Sequence, residues 1–381
     1  MKIVDVYIVK QFIKFFVLCY VSFAVLIMVF DITLNINKFL SLQTDTPIAL
    51  VILGYYARYT FSLNDMLLPV LLCIVTFFTG FIMAQHNEIR ALMALGVSPA
   101  RVLAPMFFSA ALISCVFTCV REFYVPNHLL EATQTVKDLA VKGEHVNVKR
   151  RHDFRTYLSL DGEEMNYYDK VIVRPKVMLN HNLNRYGNQI SAEQGTYVPP
   201  SAERPGGWLL SHVNSPADIL TSPSVKDEAL DEVIIYTPAD TPDLKEDEVF
   251  IVTAITPDHL VIGDNWRRIG PLKDLWQAAF DPAFARDSCE LAINSGARML
   301  RPLADLLPMF LGAPFLFFDQ KRKLFVSIMY GFVLALVCVG SVFTCNFVGE
   351  QFSNVALGVW GSSIIFVPIG VYNFCELTRK E

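Results

Sequence analysis

Residues 85–101 read QHNEIRALMALGVSPAR. The stretch is a short mixed segment pinned between two long apolar runs. Neither 66–87 nor 102–120 contains Asp, Glu, Lys or Arg. A hydrophobic run of about 20 residues crosses the bilayer core as a helix. Residues 85–101 therefore read as a hairpin connection on one side of a membrane. The segment has helical spacing of its own, with Ile89, Leu92 and Met93 at i, i+3 and i+4 on one face. Gly96 reads as a helix stop and Ser98-Pro99 as the start of the next helix. A structured helix in so short a loop offers a place for a partner to push. The plainer alternative is a connection that touches nothing.

Composition agrees with a membrane protein that carries one water-soluble insertion. The 381 residues are 53% hydrophobic and 18% charged, with 29 Phe, yet the middle third is polar. A net charge of −5 gives no indication of nucleic-acid binding. Cys19, Cys73, Cys115, Cys119, Cys338, Cys345 and Cys375 lie in or beside apolar runs, and the polar middle holds only Cys289. That set builds neither a disulfide framework nor a zinc site.

Outward from the hairpin, residues 66–84 and 102–120 form the second and third spans. Upstream, the uncharged run 15–30, helical to about 34, is a first span with Lys10 and Lys14 at its edge. No small-residue cleavage pattern follows it, so it reads as retained rather than as a signal peptide. Residues 47–57 are apolar but too short to span, and read as an interfacial helix leading into the second span. Downstream, 300–318 (with Pro302, Pro308 and Pro314), 324–349 and 351–375 supply three more spans. Gly331 and Gly340 offer close helix approach. Between the two sets of spans, 168–178, 189–198, 208–213, 232–236 and 249–253 read as short strands separated by Gly/Pro turns. Residues 215–231 read as a polar excursion and 271–285 as weakly helical. The expected fold is a six-span α-helical membrane domain with an inserted all-β, jellyroll-like domain. Its parts are 1–125 (three spans and a coupling helix at about 86–97), 126–295 (β) and 296–381 (three spans).

Short-loop charges set the expected orientation. Lys2, Lys10, Arg90, Arg101, Lys321, Arg322, Lys323, Arg379 and Lys380 fall on one side; the other side has Lys38 and no Lys or Arg in 346–354. This places both termini and the 85–101 hairpin in the cytoplasm and the β domain outside it.

No phosphate loop, HExxH or GxSxG occurs, so no catalytic residue and no bound ATP are expected in this chain. His145 and His152 flank a basic run, VKRRHDF, which reads as a solvated strand edge rather than a metal site. Lys38, Arg58, Arg298 and Arg301 cluster by topology at the outer interface. They are either interface anchors or contacts for an anionic lipid headgroup. Asp305 is placed to pair with Arg301 at i,i+4.

Several segments together resemble the LptF/LptG permeases of the lipopolysaccharide exporter: NEIRALMALGVSPARV, LNDMLLPVLLCIVTFFTG, REFYVPNHL, QISAEQGTYV with GGWLLSHV, and ARMLRPLADLLPMFLGAPFLF. The resemblance covers nearly the whole chain and is weakest over 201–247. It implies an inner-membrane permease that pairs with a paralogous permease. A cytoplasmic ABC ATPase dimer (LptB-like), which binds ATP and Mg, drives extraction of lipopolysaccharide. The lipid then passes to periplasmic bridge proteins (LptC/LptA-like). The resemblance puts Glu88 at the acidic ATPase-docking position, with Ile89, Leu92 and Met93 as packing residues. It puts Lys38, Arg58, Arg298 and Arg301 near lipid A phosphates, and the first and fifth spans at a lateral gate. Two rival readings are a permease of the macrolide-exporter or lipoprotein-release type, which usually has four spans, and a membrane sensor or scaffold without transport.

Overall fold

The computed structural model describes residues 2–40, 48–123, 145–179, 189–201, 204–227, 232–317 and 324–379. In chain order, the first helices are α1 (Lys2–Leu40), α2 (Ile48–Gln85), α3 (Glu88–Ala94) and α4 (Pro99–Phe123). Eleven strands, β1–β11, follow between His145 and Val252. Helices α5 (Pro257–Ile262), α6 (Trp266–Ile269) and α7 (Leu272–Phe280) come next, then α8 (Ser288–Ala304), α9 (Leu307–Gly312), α10 (Leu324–Gln351) and α11 (Val355–Arg379). The described residues divide into a helical unit, up to 123 and from 292, and a β unit over 145–291. The division falls inside α8, so the helix is continuous across the expected border at 295.

Five helices of the helical unit are long and apolar enough to cross a membrane, over 3–37, 67–85, 99–123, 329–351 and 355–376. A sixth span forms if α8 and the 307–316 segment, bent by 40° at their break, count as one. The break has a covalent cause. A proline lacks the N–H that would bond four residues back, and its ring clashes with that carbonyl. Pro308 lies four residues beyond Ala304, where α8 ends. The predicted interfacial helix at 47–57 and the second span are one helix, α2, which runs unbroken through the polar stretch 58–65 and through Pro69.

Packing in this unit is apolar and close. Ile8 and Phe12 of α1, Leu72 and Phe77 of α2, Leu103 and Met106 of α4 and Met309 of α9 form one buried cluster. Gly331 earns its place there: a Cβ would meet the Phe77 ring at 2.8 Å and the Gly312 carbonyl at 2.9 Å. Gly340, expected to serve the same purpose, faces open space.

In the β unit, β7 (Gln189–Val198) is the hub. Its long run pairs with β5 (Val171–Val173), β6 (Lys176–Met178) and β8 (Gly207–Ser215), all antiparallel. One arm continues from β8 through β11 (Glu248–Val252) and β10 (Glu232–Tyr236) to β9 (Val225–Asp227). The other arm leads from β5 through β4 (Glu164–Asn166) to β1 (His145–Asn147), and a branch runs from β6 through β3 (Leu158–Asp161) to β2 (Arg151–Asp153). The predicted strand at 168–178 is two strands, separated where Arg174 takes φ 49°. The excursion at 215–231 contains β9. Trp208, Leu210, Ile234 and Val249 centre the core, and the Trp208 indole donates to the Ile255 carbonyl at 2.8 Å.

Candidate coupling helix and membrane charge sites

The hairpin helix is built by its two ends. Asn87 enters it in the left-handed region at φ 59°. At the other end Gly96 sits at φ 79°, its N–H donating to the Met93 carbonyl (2.9 Å) while Val97 N–H reaches back to Leu92 (3.1 Å). This paired closure satisfies two of the carbonyls that a helix end leaves orphaned, and it needs a residue that tolerates positive φ. Gly96 thus stops α3 as its sequence implies.

The faces of α3 divide cleanly. Ile89 is buried, and Leu92 and Met93 pack with it against Ile8, Phe12, Met83 and Val102. Arg90, Ala91 and Ala94 lie on the exposed side, and Leu95 is 80% exposed. Glu88 is half-buried at the first helical position, where a carboxylate suits the positive end of the helix dipole. The Tyr7 hydroxyl of α1 donates to its two oxygens at 3.0 and 3.3 Å. Nothing local in the sequence signals Tyr7, which lies 81 positions away.

Of the four basic residues, Lys38 and Arg58 have side chains outside the described residues, although their backbones belong to α1 and α2. Between the same two helices, Tyr56 donates to Asp31 at 2.6 Å, tying α2 to α1. Arg298 and Arg301 fall on successive turns of α8. Arg298 is only 5% exposed and pairs with Glu122 of α4 at 3.3 Å. Arg301 is more open, at 22%, and pairs with Asp305 at 3.7 Å, the spacing anticipated from i,i+4. Asp305 itself is buried and accepts from Ser114 of α4 at 2.6 Å. One acid–base pair, Arg298–Glu122, therefore bridges α4 to α8, and the Ser114–Asp305 hydrogen bond ties α4 to the bend beyond it. Charged groups inside a membrane segment are costly unless paired, and Glu122 and Ser114 supply that pairing. Both lie far from α8 in the chain, and sequence reasoning passed over them.

Among the described residues no group of His, Cys, Asp and Glu is arranged to hold a metal ion. Comparison with curated proteins gives no match. The family model described as "Lipopolysaccharide export system permease LptF/LptG" matches residues 6–375, nearly the whole chain. The match takes in α3, both sets of spans and the inserted antiparallel sheet, and the chain belongs to the LptF/LptG family of lipopolysaccharide export permeases.

Proposed function

We propose that this chain is one permease of a pair that lifts lipopolysaccharide from the inner membrane, driven by a cytoplasmic ATPase dimer that grips α3. One observation carries the reading. A seven-residue helix is seated through Ile89 on the packed spans, while its outer side stays open. Such a helix passes a push from outside into the spans. In this reading Glu88 and the rim around Leu95 meet the ATPase. Ile89, Leu92 and Met93 act behind them, coupling α3 to α1, α2 and α4. The chain has no phosphate loop, so the motor belongs to a partner.

Moving the spans narrows a cavity and drives acyl chains out of the bilayer. Each CH₂ taken into water costs roughly 0.8 kcal/mol, so the lipid needs an apolar receiving surface. The β unit is the part of the chain suited to that role, with passage onward to periplasmic bridge proteins. Lys38, Arg58, Arg298 and Arg301 are the proposed headgroup contacts. Arg301 is the more accessible of the two on α8, and Arg298 is the more committed to its acid.

The test is Glu88→Lys in the full complex. Reversal of charge at the docking position is expected to abolish co-purification of the ATPase while membrane insertion stays normal. Undiminished recovery of the complex would sink the docking assignment.

A further inference from the structure

We propose that Tyr7 is a positioning residue of the coupling device: its hydroxyl holds the Glu88 carboxylate, so that the first span, α1, turns with α3. This role rests on the reading of α3 as the helix that an ATPase grips. The apolar seat under Ile89 is one contact between α3 and α1. The Tyr7–Glu88 bond is a second, and it is directional.

Two pairs of neighbouring residues make these contacts. Ile8 of α1 and Ile89 of α3 are buried in one apolar cluster with Phe12, and Leu92 and Met93 pack against it. One residue back on each helix, the Tyr7 hydroxyl donates to Glu88 Oε1 at 3.0 Å and Oε2 at 3.3 Å. Successive residues of a helix point about 100° apart, so the polar contact lies off the apolar seam. Apolar attraction has no direction, and by itself it lets α3 roll on α1. A hydrogen bond weakens steeply away from its axis, so a contact off the seam fixes that roll.

Helix α3 has little orientation of its own. It is seven residues long, well below the roughly 12–15 at which an isolated helix becomes even marginally stable. Asn87 gives it no side-chain cap, and the Asn87 amide oxygen accepts from Arg90 at 3.4 Å instead. Helix α1 is suited to being moved from this end. It is the least covered of the five membrane-crossing helices, with 6% of its apolar window buried against 17–56% in the others. Among its described residues, the buried side chains Ile8, Phe12 and Phe16 all lie in its first half. A displacement of α3 therefore enters α1 beside Tyr7. Tyr7 is 46% exposed, so in the chain alone water competes for Glu88. A partner seated on α3 would exclude that water and strengthen the bond. A carboxylate has acceptor sites enough for Tyr7 and a partner group together.

The test is Tyr7→Phe, which keeps the ring and removes the hydroxyl. Tyr20→Phe is the control, because the Tyr20 hydroxyl of the same helix makes no hydrogen bond among the described residues. Both are measured in the full complex, in proteoliposomes loaded with lipopolysaccharide. In Tyr7→Phe, ATPase recovery and ATP hydrolysis are expected to stay normal. Lipid released per ATP hydrolysed is expected to fall about three- to tenfold, the range that one hydrogen bond is worth. In Tyr20→Phe that ratio is expected to match wild type. Misfolding would lower the amount of complex and leave the ratio alone. A wild-type ratio in Tyr7→Phe, an equal fall in both variants, or loss of the ATPase from Tyr7→Phe would overturn the role. The tie is also read without the ATPase, in the full chain in detergent, from spin-labelled residues in place of Ile3 and Ala91, both exposed. Wild type should give one narrow distance and Tyr7→Phe a broadened distribution. An unchanged distribution would overturn the tie. If Glu88→Lys keeps the ATPase, the docking reading fails by itself, and the spin-label distances still decide whether Tyr7 holds α3.

Discussion

His259 shows how much a single side chain here depends on its surroundings. Its Nδ1 accepts from the Thr256 N–H at 3.0 Å, closing the start of α5, while Trp266 and Phe284 cover the ring. Burial, helped by the nearby Arg151 charge, pulls its pKa down to about 3. In the unfolded chain the same ring titrates near the ordinary value of about 6.5. The folded pKa is the lower one, so the unfolded state takes up the proton first as pH falls. The stability this ring contributes is complete above about pH 6.5 and is lost on acidification towards pH 3, at no more than about 1.4 kcal/mol per pH unit. Asp287 and Asp274, both pushed up by burial, act with the opposite sign. The comparison that isolates the imidazole is therefore wild type against His259→Gln, which keeps a side-chain acceptor for the Thr256 N–H. Thermal unfolding from pH 4 to pH 7 should show the wild type gaining stability relative to the variant as pH rises. A pH-independent difference would count against the buried neutral ring. Asp153 is a similar case. Its carboxylate is buried and accepts from Arg155, Thr156, Thr253 and Ala254. The local sequence, VKRRHDF, reads as a wet edge because the partners that bury it lie about a hundred positions on.

At the scale of elements, legibility followed the range of the forces. The stop at Gly96 was readable because the closure of α3 spans only Leu92 to Val97, and a positive φ leaves a compositional mark. Strand β7, ten residues long, was readable from its own pattern, and β10 likewise. Strands β1 to β4, of three or four residues each, were not, because their stability lies in cross-strand partners rather than in local propensity. The continuity of α2 through 58–65 was missed for a related reason. Polar residues lower the hydrophobic signal of a span but do not break a helix, and neither Gly nor an interior Pro interrupts that stretch. The closure of α3 yields its own test. A Cβ at position 96 meets nothing within 4 Å, so the penalty on Gly96→Val comes from the left-handed backbone, at least about 1–2 kcal/mol for a β-branched residue. If α3 passes force as a rigid element, Gly96→Val should reduce ATPase recovery several-fold while insertion stays normal. Gly340→Ala, also in open space but at ordinary helical φ, should leave recovery unchanged. Equal behaviour of the two variants would remove the closure from the coupling.

For the whole molecule, apolar runs and turn residues were enough to place a β insertion between two groups of spans, and the family match covers that arrangement from residue 6 to 375. The Arg301–Asp305 pair was legible from its i,i+4 spacing, but the partners on α4, Glu122 for Arg298 and Ser114 for Asp305, were not. That pairing separates the two arginines in their expected behaviour. Removing one partner of a buried ion pair leaves the other charged in a low-dielectric setting, typically at about 3–5 kcal/mol. Arg298→Ala should therefore lower the amount of folded permease, and Glu122→Gln should lower it as well. Arg301 is more open and its pair is longer, so Arg301→Ala should leave the folded amount near normal and weaken lipid capture instead. A photo-crosslinking residue at position 301, in cells carrying the full complex, should trap a phosphorylated glycolipid ahead of the more abundant phospholipids. Labelling in proportion to bulk phospholipid would reduce Arg301 to an interface anchor. Loss of folded protein on Arg301→Ala would instead put it with Arg298, as part of the bridge between α4 and α8.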